Sequence, residues 1–140
     1  MVHRLYTDGA ARGNPGPAGA GAVLFDGARQ VAKLSRFLGG RLTNNEAEYR
    51  ALILGLEMAL AQGASSLEVF MDSELAVNQL LGKYKIKQQH LRALARRVAE
   101  LARKFESVKF RHVERRLNRQ ADRLANLAID DFELAKKLKK

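Results

Sequence analysis

The sequence predicts an α/β fold built on a five-stranded mixed sheet, three antiparallel strands followed by parallel ones, with helices on both faces. Three observations carry this expectation. Three extended, apolar-rich segments come first, two of them flanking a hairpin turn signal at Asp26-Gly27. From Asn44 the apolar period switches to that of a helix. Two further short apolar strands then alternate with helical stretches.

Val2 to Thr7 alternates, with Val2, Arg4 and Tyr6 on one side and His3, Leu5 and Thr7 on the other. Both sides carry apolar bulk, as in a strand covered on both faces. Gly9 to Pro17 contains three glycines and both prolines of the chain, and is expected to be a loop. Gly21–Phe25 and Val31–Phe37 read as the two strands of the hairpin. Tyr49, Leu52, Ile53, Leu56, Ala59 and Leu60 follow helical spacing up to a stop at Gly63. This helix is expected to return the chain so that the next strand, Leu67–Met71, lies parallel beside the first. Ser73–Leu81 reads as a short helix closed by Gly82, and Lys83-Tyr-Lys-Ile-Lys87 as a basic connector. His90–Lys104 is a second amphipathic helix, Val108–Val113 a last strand, and Leu117–Leu138 a long final helix. No linker or repeat interrupts residues 1–140, so one domain is expected, with about residues 136–140 a frayed basic tail.

The 140 residues carry 25 Lys plus Arg against 15 Asp plus Glu, a formal net charge of +10. Such a surplus favours a polyanionic partner. The absence of cysteine excludes disulfides and thiolate metal sites. No apolar run approaches the length of a membrane span, and no signal-peptide pattern is seen. A cytoplasmic monomer without membrane association is the expectation.

Against this basic background, four carboxylates stand in distinctive places. Asp8 ends the first strand, Glu48 lies at the start of the first helix, Asp72 closes an apolar strand, and Asp122 is early in the last helix. In open α/β sheets, sites form beyond the carboxyl ends of strands. Carboxylates gathered there repel one another unless cations separate them. An all-oxygen ligand set suits a hard cation, Mg²⁺ or Mn²⁺. A pair of such ions in a basic protein points to hydrolysis of a phosphodiester backbone. Taken singly, each acid also fits a helix-terminus charge or a surface ion pair.

The same residues carry a family resemblance. Asp8-Gly-Ala-Ala-Arg-Gly-Asn-Pro-Gly16 resembles the first-strand motif of type 1 ribonucleases H, and Thr43-Asn-Asn-Glu-Ala-Glu48 their helix-start motif. Asp72-Ser73 and Asn118-Arg-Gln-Ala-Asp122 resemble the third and fourth motifs, in the family's order. The resemblance implies a ribonuclease H-like fold and a divalent-metal endonuclease that cuts the RNA strand of RNA/DNA hybrids, leaving 5′-phosphate and 3′-hydroxyl ends. It assigns two Mg²⁺ or Mn²⁺ ions to Asp8, Glu48, Asp72 and Asp122, and a proton-transfer or product-release role to His112. It further implies hybrid contacts from Asn14, Asn44 and Asn45, and a DNA-strand phosphate grip from Arg41 and Thr43. Amide side chains both donate and accept, which suits 2′-hydroxyls and base edges. Asn14 also fits an ordinary turn, and Asn44 or Asn45 a helix cap.

The chain departs from the pattern in lacking tryptophan and in having only Gly82 to Gln89 between the two middle helices, where some members insert a basic protrusion. Lys83, Lys85 and Lys87 are candidates for a smaller handle. Glu74 stands where an amide often meets substrate. His3 and His90 read as strand filler and helix surface. Alternative readings remain open at this point: a noncatalytic nucleic-acid-binding module of the same fold, a same-fold nuclease acting on double-stranded RNA or DNA, or a basic scaffold.

Overall fold

A computed structural model describes residues 2–139. Its strands are β1 (Val2–Ala11), β2 (Gly16–Asp26), β3 (Arg29–Leu42), β4 (Ser66–Met71) and β5 (Ser107–His112). Its helices are α1 (Asn44–Ala61), α2 (Glu74–Leu80), α3 (Gln89–Ala102) and α4 (Arg119–Leu138), with a 3₁₀ turn at Arg115–Leu117 before α4. The sheet order is β3-β2-β1-β4-β5. β1 pairs antiparallel with β2 and β2 with β3, whereas β1–β4 and β4–β5 are parallel. The expected mixed sheet is therefore present, and α1 is the crossover that sets β4 beside β1.

One face of the sheet carries α1, α2 and α3. There Leu5, Leu24, Leu67, Val69 and Met71 meet Tyr49, Leu52, Leu56, Val77, Val98 and Leu101 in a single buried cluster. Burying each large side chain is worth about 1.5–3 kcal/mol, so this cluster supplies most of the driving force. The other face carries α4, and small residues make that contact. A Cβ on Gly21 would fall on the Ala121 carbonyl and one on Gly19 on that of Ala125. The helix thus lies backbone to backbone on β2. Farther along, Phe132 stacks on Phe37 of β3 with ring centroids 3.9 Å apart. Among the described residues, no helix is long and apolar enough to cross a membrane.

Three expectations need correction. Gly9 to Pro17 is not all loop: β1 continues through Gly9, Ala10 and Ala11, which pair with Ala20, Gly19 and Ala18 of β2. A central strand with partners on both sides can carry glycine where the partner strand and helix approach closely. The turn is only residues 12–15. The cap of α1 is neither Asn44 nor Asn45 but Thr43, whose hydroxyl accepts from the Glu46 backbone N–H while the Glu46 carboxylate accepts from that of Thr43. The tail expected at 136–140 is helical as far as Leu138; Lys140 lies outside the described residues.

Candidate active site

The parallel register builds the site. Tyr6–Phe70 is the last parallel pair, and two residues beyond it stand Asp8, which lies within β1 rather than at its end, and Asp72, just past the end of β4. A step of two keeps both on one face of the pleat. Glu48, in the second turn of α1, reaches the same point because Gly9 has no side chain. A Cβ there would strike the Ala47 carbonyl, and its absence lets the helix settle onto β1. The Gly9 backbone N–H then donates to Glu48 Oε1 at 2.6 Å. One oxygen from each of Asp8, Glu48 and Asp72 lies within 4.8 Å of the others.

Asp122, in the first turn of α4, completes the group beside Asp8. Its carboxylate accepts from Asn126 Nδ2 at 3.2 Å and stands 3.7 Å from the Arg115 guanidinium. Asn118, fully buried, donates through Nδ2 to the Thr7 carbonyl at 2.9 Å and to Asp72 Oδ2 at 3.3 Å, tying β1 to β4 at the site. The four acids open into a cleft of about 420 Å³, with Asn44, Asn45, Asn126 and Arg115 on its walls.

The electrostatics are those of a site short of positive charge. Burial first, then the charges of Glu48 and Asp72, pushes the Asp8 carboxyl up to about 10. Burial likewise raises Glu48, to about 8, against the opposing bond from Gly9. Asp72 is raised by burial, with Asn118, Arg115 and His112 pulling the other way. Oxygen-only donors, two of them buried, held close enough to repel, fit hard divalent cations, which would neutralise the cluster and supply its missing ligands.

The remaining sequence candidates divide. Asn14 Oδ1 accepts from the Asn44 backbone N–H at 3.0 Å, and Asn44 Oδ1 accepts from that of Ala11 at 3.2 Å. The two amides therefore brace the β1–β2 turn against the start of α1, and Asn45 lies next to them on the cleft wall. Thr43 spends its hydroxyl on the cap. Arg41 is exposed at the end of β3, and His112 is exposed at the end of β5 opposite Met71. His90 is on the surface 3.9 Å from Glu46. The Lys83–Lys87 connector is pinned, since Arg92 donates to the carbonyls of Ile86 and Lys87.

The sequence reading missed Arg115, the bracing role of Asn118, and Asn126. Asn118 opens the fourth motif, which was its signal. Asn126 sits one helical turn beyond Asp122, the spacing at which a side chain meets its neighbour.

Comparisons with known proteins agree with this geometry. A family model described as "Reverse transcriptase-like" matches residues 6–128. The bifunctional protein Rv2228c of Mycobacterium tuberculosis is 46% identical over 128 residues, 90% of this chain but 35% of the relative. The chain thus spans about a third of that protein's length. The crystal structure of RNase H1 from Halobacterium salinarum superposes with a TM-score of 0.90 at 43% identity, covering 94% of this chain and 99% of that one. LC11-RNase H1, solved in complex with an RNA/DNA hybrid, superposes with a TM-score of 0.87 at 41% identity, covering 92% and 97%.

Proposed function

The chain belongs to the type 1 ribonuclease H family, and we propose that its single domain hydrolyses the RNA strand of RNA/DNA hybrids with two divalent metal ions, leaving 5′-phosphate and 3′-hydroxyl ends. The observation that carries the reading is the convergence of Asp8, Glu48 and Asp72 on one point, with Asp122 beside them, where the parallel pairing of β1 and β4 stops. The hybrid-bound relative supports the substrate class.

Asp8, Glu48, Asp72 and Asp122 would hold Mg²⁺ or Mn²⁺, which when bound supply charge neutralisation at the scissile phosphate and acidity for the attacking water. The protein's own contribution is preorganisation. Glu48 is fixed by the Gly9 N–H and Asp72 by Asn118, so neither carboxylate must be ordered when substrate arrives. Arg115 is the cation on the cleft wall among the described residues, and its exposed guanidinium offers the scissile phosphate a counter-charge. His112 stands near enough to Asp72 to favour that carboxylate's charged form, and its proposed role is to assist proton transfer or product release. Asn44 and Asn45 on the cleft wall, with Asn14 in the adjoining turn, would meet the hybrid's minor groove, and Arg41 and Thr43 would contact the DNA strand.

The test compares wild type with Asp72→Asn on a labelled hybrid in Mg²⁺, Mn²⁺ or EDTA. Expected is metal-dependent cutting of the RNA strand, reduced about 1,000-fold in the variant, which corresponds to several kcal/mol of lost transition-state stabilisation, with hybrid binding retained. A wild type that binds hybrid and cuts with neither metal is a binding module instead.

A further inference from the structure

Two of the four acids are held by an amide side chain. Glu48 accepts from a backbone N–H and Asp72 from Asn118, while Asp122 depends on Asn126. Asn126 Nδ2 donates both to the Asp122 carboxylate, at 3.2 Å, and to the Asp122 carbonyl, at 3.0 Å. An amide can face either way, and what decides here is its other end. Asn126 Oδ1 faces Arg12 Nη2 at 3.4 Å. Flipping the amide would set its NH₂ against a guanidinium and its oxygen against a carboxylate, unfavourable at both ends.

Arg12 is itself tied down. Its Nη2 donates to Asp130 Oδ1 at 2.6 Å and its Nη1 to Glu133 Oε1 at 3.0 Å. Asp122, Asn126, Asp130 and Glu133 recur at helical spacing and form one polar stripe along α4. Arg12 belongs to the β1–β2 turn, which its own N–H closes by donating to the Pro17 carbonyl at 2.8 Å. Two residues on, Asn14 braces that turn against α1. The guanidinium therefore joins the turn that carries a proposed hybrid contact to the helix that carries a proposed metal ligand.

We propose that Arg12 and Asn126 are positioning residues: Arg12, from the β1–β2 turn, fixes the orientation of the Asn126 amide, and Asn126 orients Asp122 for metal. This rests on the nuclease reading above. The reach of such supporting partners is known in size: losing one typically weakens metal binding by about 10- to 100-fold.

The experiment measures Mn²⁺ binding to the full chain by calorimetry, without substrate, for wild type, Asn126→Ala, Arg12→Met and the double variant, with thermal melts alongside. Expected is affinity about 10-fold weaker in Asn126→Ala, a smaller loss in Arg12→Met, and a double variant no weaker than Asn126→Ala, because one residue acts through the other. A merely structural role would lower the melting temperature and leave Mn²⁺ affinity in place. Should Arg12→Met fail to fold, the double variant Asp130→Ala/Glu133→Ala replaces it, removing both carboxylates that hold the same guanidinium on α4 while keeping the turn. Wild-type affinity in Asn126→Ala, or losses that add in the double variant, overturns the inference while the nuclease reading stands. A wild type that neither binds Mn²⁺ nor cuts hybrid overturns both.

Discussion

The helices α1 and α4 each bring one carboxylate to the same cleft, yet they begin in opposite ways. α1 opens with a reciprocal capping box between Thr43 and Glu46, so its first turn satisfies its own backbone. α4 opens at Asn118, a residue type that ordinarily caps, and its side chain makes no cap. Its amide is turned inward to the Thr7 carbonyl and Asp72. One helix start is spent on the helix and the other on the site. Glu48 is accordingly buried and bonded to backbone, whereas Asp122 is partly exposed and steered by side chains. A rigid wall facing an adjustable one suits the proposed uptake of metal and substrate.

The largest effect comes from breaking the rigid side. Gly9→Val places a side chain into the backbone of Ala47 and pushes α1 off β1. Backbone overlap of this kind has no flexible neighbour to absorb it, so the expected loss exceeds about 4 kcal/mol, read as a collapse of the urea midpoint or as insoluble protein. A variant that melts like wild type would mean that α1 is not seated on Gly9, and the rigid side of the comparison would fail.

Next is the charge that both sides share. Asp8 is raised from 3.8 to about 10 and Glu48 from 4.5 to about 8, burial being the first cause of each. A carboxyl raised by folding binds more protons folded than unfolded, so stability falls as pH rises between its two values. In EDTA the melting temperature should therefore drop from about pH 5 to pH 8, as the unfolded chain ionises and the folded cluster resists. Asp8→Asn should flatten the slope and raise stability at neutral pH by about 2 kcal/mol. Mg²⁺ at 100 times its dissociation constant should give the wild type about 2.7 kcal/mol, and Asp8→Asn clearly less. A metal-free melting temperature that is level with pH would show that the acids do not repel as described.

Much of this was legible in the sequence because it rests on period and punctuation. The helical spacing from Tyr49 to Leu60 and the apolar run Leu67–Met71 placed the crossover, and with it Asp8 beside Asp72. What was not legible depends on neighbours distant in sequence. Gly9 to Ala11 reads as loop, since glycine is unfavourable in strands, and only the pairing with Gly19 and Ala20 and the approach of Ala47 make it the right choice. Asn44 and Asn45 are as good caps as Thr43, and the capping box with Glu46 decides in favour of Thr43. Asn126 and Arg115 carry no periodic signal of their own, because an amide or a cation near a helix start is ordinary on any surface.

The smallest effect is the most discriminating. Thr43→Ala and Asn118→Ala each remove the first side-chain support of one carboxylate-bearing helix. Thr43→Ala loses a cap, worth about 1 kcal/mol. Asn118→Ala loses two hydrogen bonds from a buried amide, a stability cost of similar order at about 1–2 kcal/mol. If the two starts serve different ends, Mn²⁺ affinity separates them. It should hold in Thr43→Ala and fall about 10-fold in Asn118→Ala, because only the second leaves Asp72 without its orienting donor. Equal losses in both would mean that metal affinity follows helix stability alone. The inward turn of Asn118 would then be a packing detail rather than the reason α4 begins without a cap.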